Sequence, residues 1–245
     1  MNVQGKVALV TGGARRLGRA FVLALADAGM DVVVHYGHAA RDAEATVAEA
    51  RSRGVRALAL QADLQRAEEA QALVPRASDQ MGAPVQVLVN SAAIFKPGTV
   101  RDTSLDNWTE HLRVNLRAPF LLIQSFAHSL GEMPGKVVNI TDWRAVYPGR
   151  KYLAYTLSKS ALITLTMMAA RELAPHVQVN ALALGAVLPP PERDEAYLQR
   201  LVQRLPARRS ARVEEVTDAL LSLLRNDYIT GDVLFVDGGA HLIHG

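Results

Sequence analysis

The sequence predicts a single doubly wound α/β domain, and three observations carry that reading. Seven short runs rich in valine, leucine and isoleucine recur along the 245 residues, with helical patterning between them. The runs are almost continuously apolar instead of alternating, as strands covered by helices on both faces must be. No repeat, low-complexity tract or long polar linker interrupts the alternation, so residues 1–245 read as one domain.

The strands are expected at Val7–Val10, Asp31–Tyr36, Ala57–Gln61, Val85–Val89, Lys136–Ile140, Val177–Leu182 and Val233–Val236. Strand and helix in alternation make one parallel sheet. The covering helices show apolar residues three and four apart, as in Leu17, Phe21, Leu25 and Ala28, and again in Leu162, Leu165, Met168, Ala169 and Leu173. One stretch is irregular, from Gly185 to Ser210. There Pro189, Pro190 and Pro191 precede a short amphipathic helix around Ala196–Leu205, which reads as a substrate lid or as a rigid surface excursion.

Composition narrows the classes. With 49% hydrophobic and 21% charged residues the chain is an ordinary globular protein, long enough to bury a substantial core. The net charge is +3, but lysines and arginines are dispersed and no basic run is interleaved with aromatics, which argues against a nucleic-acid partner. The absence of cysteine excludes disulfides, thiolate metal ligands and a cysteine nucleophile. It fits a reducing compartment, so a cytoplasmic location is expected. Met1 to Val10 lacks the pattern of a signal segment, and no uncharged apolar run reaches the roughly 18 residues of a membrane span. The seven histidines are scattered, and the pair His241 and His244 has no further ligand nearby, so no metal site is expected.

The first strand runs into Thr11-Gly12-Gly13-Ala14-Arg15-Arg16-Leu17-Gly18 and then a helix. Glycines let the backbone turn tightly and approach a pyrophosphate, and a helix N-terminus offers free N–H groups with a favourable dipole. About twenty residues on, where a carboxylate would bind a ribose 2′-hydroxyl, the second strand ends His35-Tyr36-Gly37-His38. Arg15 and Arg16 in the turn and Arg41 after the second strand are instead suited to a 2′-phosphate, so NADP(H) is expected over NAD(H). Asp63, followed by Leu64, closes the third strand, either to bind the adenine amino group or to cap a helix. Asn90-Ser91-Ala92-Ala93 closes the fourth, with side chains small enough to admit a ribose. Gly185 and Val187, after the sixth strand, complete the expected cofactor set.

Tyr155 and Lys159 open a helix after the fifth strand, and a spacing of four sets them on one face. A nearby ammonium favours phenolate, which makes such a pair a tunable proton donor. Tyr147 and Lys151 repeat the spacing, but Pro148 and Gly149 between them oppose a helix.

Together these residues resemble the short-chain dehydrogenase/reductase family over essentially the whole chain. Thr11-Gly12 with Gly18, Asn90-Ser91-Ala92, Asn115, Tyr155 with Lys159, and Thr230-Gly231 with Val236-Asp237-Gly238-Gly239 occur in family order and spacing. The resemblance implies a seven-stranded Rossmann sheet, hydride transfer from the nicotinamide, and Tyr155 as general acid. It also implies that Lys159 holds the ribose and lowers the tyrosine pKa, that Asn115 supports a water-linked proton path, and that the protein is a homotetramer packed through the helices bearing Asn115 and Lys159.

Three departures stand out. Arg16 occupies a position where glycine is common, Leu184-Gly185 replaces the usual Pro-Gly, and Asp142 stands thirteen residues before Tyr155 where the family usually has serine. A serine hydroxyl can donate to a developing oxyanion, whereas an ionised carboxylate repels it. A carboxyl suits a substrate that presents N–H donors, or a C=N bond whose nitrogen is protonated as hydride arrives. Asp142 with Tyr155 and Lys159, the arginine-bearing turn, His35-Tyr36, and Phe95, five residues after Asn90, resemble the pteridine and dihydromonapterin reductases. That resemblance implies that Phe95 stacks on a pterin ring. The expectation is therefore an NADPH-dependent pterin or dihydrofolate reductase acting on a small molecule. Its rivals are a ketone reductase of the same family and a non-catalytic dinucleotide-binding protein.

Overall fold

The computed structural model describes residues 1–189 and 194–243. Its strands are β1 (Val7–Val10), β2 (Asp31–Tyr36), β3 (Ala57–Gln61), β4 (Val85–Asn90), β5 (Gly135–Asp142), β6 (Val177–Leu184) and β7 (Val233–Val236). The helices are α1 (Arg16–Asp27), α2 (Ala40–Arg51), α3 (Ala67–Met81), α4 (Leu105–Leu112), α5 (Ala118–Leu130), α6 (Leu153–Leu173), α7 (Glu195–Val202) and α8 (Val213–Arg225). All seven strands are parallel, in the order β3-β2-β1-β4-β5-β6-β7. Strand order reverses between β1 and β4, and the carboxyl ends of these two strands open the crevice where such sheets bind ligands.

The continuous apolar character of the strands has a direct cause, because successive side chains enter two different cores. Ala8 and Val10 join Phe21, Leu25 and Leu220 on the face covered by α1 and α8. Val7 and Leu9 join Leu73, Leu122 and Phe126 beneath α3 and α5. Neither face of β1 meets water, so neither can carry polar residues.

Three strands run past their last expected residue. β4 takes in Asn90, β5 extends to Asp142 and β6 to Leu184. Hydrophobic patterning ends before the hydrogen-bond ladder does: Asn90 pairs with Asn139, and Asp142 with Leu184. Of these added residues, Thr141, Asp142 and Leu184 line the crevice.

Some helical expectations change. Phe21 and Leu25 are buried, and Leu17 and Ala28, the latter at the C-cap of α1, pack part-buried against the same core. Met168 points outward at 66% exposure, while Leu162 and Ala169 are buried. The helix expected around Ala196–Leu205 ends at Val202. Leu198, Val202 and Leu205 are buried, the latter two against Trp143, Ala186 and Ala240. Pro190, Pro191 and His244 lie outside the described residues. Among the described residues, α6 alone has the length and apolarity of a membrane span, and it packs on β5 and β6. No group of three potential metal ligands occurs there.

Candidate active site

The turn after β1 is shaped by two close approaches. A Cβ on Gly18 would lie 2.0 Å from the Gly12 carbonyl oxygen, so only glycine lets α1 start so near the strand end. Gly12 has φ +66°, and its Cβ would meet Ala92 Cα at 3.0 Å. Thr11 Oγ1 accepts the N–H groups of Ser91 at 3.0 Å and Ala92 at 3.1 Å, tying the turn to the end of β4. The Gly12 N–H donates to His35 Nδ1 at 3.1 Å, and His35 Nε2 meets the Ala62 carbonyl at 3.1 Å. That pair of contacts requires the neutral Nε2–H tautomer. Burial enforces it, pulling the His35 pKa from 6.5 to about 4. His35 is thus a brace beneath the turn as well as part of the crevice wall.

The arginines are partly engaged. Arg15 ion-pairs with Asp42, in the first turn of α2, a carboxylate that follows the end of β2 by six residues and does not line the crevice. Arg16 adopts φ +52° where glycine is common, and its guanidinium donates to the Pro189 carbonyl at 2.5 Å across the crevice. Arg41 is exposed on α2 and does not line the crevice. Tyr36 packs against the core instead of lining it.

A cavity of about 530 Å³ runs from this turn to Tyr155. Gly12, Arg15, Arg16, Leu17 and Gly18 form one end of it. Asp63 and Leu64, then Ser91 and Ala92, line the middle, and Asp142, Tyr155, Lys159, Gly185 and Val187 close the other end. Asp63 is not a helix cap: its Oδ1 accepts the Gln65 N–H at 2.9 Å, and α3 begins later with Arg66 as its N-cap. Gly185 is required by the end of β7, since its Cβ would lie 2.5 Å from Asp237 Cα. Asn90 lies behind the wall; its amide donates to Asn139 at 2.8 Å and its buried oxygen has no protein partner.

At the far end, α6 holds Tyr155 and Lys159 one turn apart against β5. Tyr155 Oη donates to Asp142 Oδ2 at 3.1 Å, and Lys159 Nζ donates to the Ile140 carbonyl at 2.7 Å. The ammonium lies 5.8 Å from the Tyr155 ring centroid. Burial first, then the charge and hydrogen bond of Asp142, raise the Tyr155 pKa well above 10, and Arg144 only partly opposes them. This corrects the expectation that Lys159 lowers it: the phenol is held protonated. Burial brings Lys159 itself down to about 8, with Asp142 opposing.

Arg144 was not singled out from sequence. Its N–H donates to Asp142 Oδ1 at 2.8 Å, and its Nη1 lies 3.2 Å from each carboxyl oxygen. The signal was a basic residue two positions beyond the strand-end aspartate. Asn115 lies in a π-helical turn, Arg113–Arg117, and is fully buried. Its Oδ1 accepts the Ile94 N–H at 2.9 Å, and its Nδ2 donates to the Ile94 carbonyl at 3.0 Å and Ser158 Oγ at 3.1 Å. It therefore pins the segment after β4 to α6.

Phe95 stacks on Tyr152, with centroids 4.1 Å apart, and meets Tyr155 edge-on at 4.7 Å. Tyr152, also missed, takes φ +65° immediately before α6. His111, a third omission, uses Nε2 to accept the Lys96 N–H at 3.2 Å and Nδ1 to meet the Asn107 carbonyl at 2.8 Å, fastening the loop that carries Phe95. Tyr147 and Lys151 both precede α6 and are not helical.

A family model described as enoyl-(acyl carrier protein) reductase matches residues 12–241. Two solved structures of FolM alternative dihydrofolate reductase 1 in complex with NADP are similar to the chain. The Brucella canis protein is 35% identical with TM-score 0.94, covering 98% of this chain and 96% of its own. The Brucella suis protein is 36% identical with TM-score 0.93, covering 99% and 97%. The 3-oxoacyl-[acyl-carrier-protein] reductase FabG of Staphylococcus epidermidis is 31% identical over 243 residues, covering 97% of this chain and 99% of its own. With the parallel seven-stranded sheet, the glycine turn at its switch point, and Tyr155 and Lys159 on α6, these matches make the chain a member of the short-chain dehydrogenase/reductase family, an oxidoreductase.

Proposed function

We propose that this protein is an NADPH-dependent reductase of a C=N bond in a pterin or dihydrofolate-like substrate. The observation that carries the reading is the carboxyl of Asp142, which receives a hydrogen bond from Tyr155 at the closed end of the cavity. A carbonyl substrate needs a donor at that position, and a carboxylate accepting three donors offers none. An amino-substituted heteroaromatic supplies N–H groups to it. The NADP-bound FolM relatives support the same assignment.

The residues fit the cofactor. Gly12 and Gly18 leave a cradle that any side chain would fill, and the N-terminus of α1 opens onto it. Arg15 and Arg16 provide guanidinium groups for a 2′-phosphate, Asp63 an acceptor for an adenine amine, and Lys159 a donor for a ribose hydroxyl. When bound, NADPH supplies the hydride. Tyr155 delivers a proton from Oη to the substrate nitrogen, Asp142 orients the ring through its N–H groups, and Asn115 keeps α6 and the Ile94 segment in register. Phe95, already stacked on one side, offers an edge of the aromatic wall against which a flat ring is held. The substrate lid expected at 185–210 meets the glycine turn, within its described residues, where Arg16 donates to the Pro189 carbonyl.

A cytoplasmic homotetramer is part of this reading. Phe120, Met167 and Met168 are outward-facing apolar residues of α5 and α6, and Trp108, Leu112, Leu116 and Leu165 line a groove with Phe120. Ketone reduction is the second reading, favoured by the FabG relative. Purified protein is expected to oxidise NADPH with dihydrobiopterin, dihydromonapterin or dihydrofolate. Inactivity with all three alongside brisk ketone reduction would reject the pterin assignment.

A further inference from the structure

We infer that Arg144 is a positioning residue that holds Asp142 as a fixed hydrogen-bond acceptor and thereby sets the site for ligands that donate N–H groups. The inference rests on the proposed pterin chemistry and deepens it. Three features of the site carry it.

First, the geometry is that of a clamp. Oδ1 of Asp142 accepts both the main-chain N–H of Arg144 at 2.8 Å and its Nη1 at 3.2 Å, while the same Nη1 lies 3.2 Å from Oδ2. Oδ2 then has Tyr155 Oη at 3.1 Å as its other partner. A carboxyl gripped from below on both oxygens cannot turn about its last bond, so the lone pairs left over keep one direction. Arg144 is itself steadied over the Trp143 ring, 4.8 Å from its centroid.

Second, the clamp is sheltered. The Asp142 side chain is 13% exposed and that of Arg144 22%, so their attraction is only weakly screened. The groups facing the carboxyl are few: Arg144 from its own turn, and Tyr155 and Lys159 from α6, with His111 of α4 behind the Tyr155 ring. Lys159 is directed at the Ile140 carbonyl, which leaves Arg144 as the cation in hydrogen-bond contact with Asp142.

Third, Arg144 acts on the proton donor through the same pair. The guanidinium works against the upward pull of Asp142 on the Tyr155 phenol, so its loss makes the phenol a weaker acid.

The test compares Arg144→Gln and Arg144→Lys with the unaltered protein, each loaded with NADP(H). Turnover of a dihydropterin is followed across pH. Binding is measured in parallel for a 2,4-diaminopteridine and for the 1,3-dimethylated pteridine-2,4-dione, in which carbonyls replace the exocyclic amines and no N–H donor remains. Arg144→Gln is expected to lose about tenfold or more in dihydropterin kcat with the NADPH KM unchanged, and to shift the pH profile. It should lose affinity for the diamine selectively, with Arg144→Lys recovering most of both. Dihydropterin turnover and pH profile unchanged in Arg144→Gln would overturn the inference while leaving the pterin reading intact. If the unaltered protein reduces no pterin, the pterin reading falls alone and binding decides the inference. Equal loss for diamine and dione, or loss for neither, overturns it; selective loss for the diamine upholds it.

Discussion

Tyr155 and Asp142, thirteen residues apart in the chain, meet as phenol and carboxyl at 3.1 Å inside the crevice. One comes from the first turn of α6 and the other from the last residue of β5. Burial first, and then the adjacent carboxyl, oppose phenolate and hold the phenol protonated. The protonated phenol is the group proposed above to deliver the substrate proton.

Tyr155→Phe is therefore expected to lower turnover by about 10²- to 10⁴-fold while NADPH binding, read by fluorescence, persists. The alkaline limb of the unaltered protein belongs to Lys159. Its pKa is depressed to about 8 by burial, so its ammonium, and with it the ribose contact proposed for it, is expected to be lost as pH rises through that value. A turnover profile flat to pH 10 would contradict this assignment.

His35 should make stability depend on acid. Its folded pKa, about 4, lies below the unfolded 6.5, so the unfolded chain binds the extra proton first as pH falls. Stability is complete above about 6.5 and declines towards 4, by an amount on the order of 3 kcal/mol. Thermal melts at stepped pH measure the decline, and His35→Asn should flatten it while lowering stability at pH 7, because the Gly12 N–H then has a poorer acceptor.

Gly18→Ala tests the cofactor cradle. The added methyl collides with the Gly12 carbonyl oxygen, and relief requires α1 to move off the strand end. A loss of about 1 to 3 kcal/mol in denaturant unfolding is expected, together with at least about tenfold weaker NADPH binding by calorimetry.

Arg15→Ala should reduce discrimination between the two nicotinamide cofactors. Removing the guanidinium also leaves Asp42 unpaired near the expected 2′-phosphate. NADPH affinity is expected to drop by about 10- to 100-fold with NADH affinity nearly unchanged. An equal loss for both would mean that Arg15 serves only the turn.

Local pattern carried much of the fold. β1, β2, β3 and β7 have the expected limits: β1 is buried throughout, and the edge strands β3 and β7, though only part-buried along most of their length, are still marked by their apolar runs. The ends of β4, β5 and β6 were not legible in that way. Asn90, Thr141 and Asp142 are polar yet buried and stay in the ladder, so the apolar pattern stops before β4 and β5 do, whereas β6 simply continues through the apolar Ala183 and Leu184. Met168 misled for a related reason: helical spacing identifies a stripe but not where its packing partner ends.

From the chain alone came the doubly wound sheet, the glycine turn and the shared face of Tyr155 and Lys159, all of which depend on residues close in sequence. Tertiary structure alone decided the direction of the Tyr155 shift, the neutral tautomer of His35, the pairing of Arg15 with Asp42, and the grip of Arg144 on Asp142. Charge and hydrogen bonding act through distance and burial, and those are set only when strands and helices far apart in the chain have packed together.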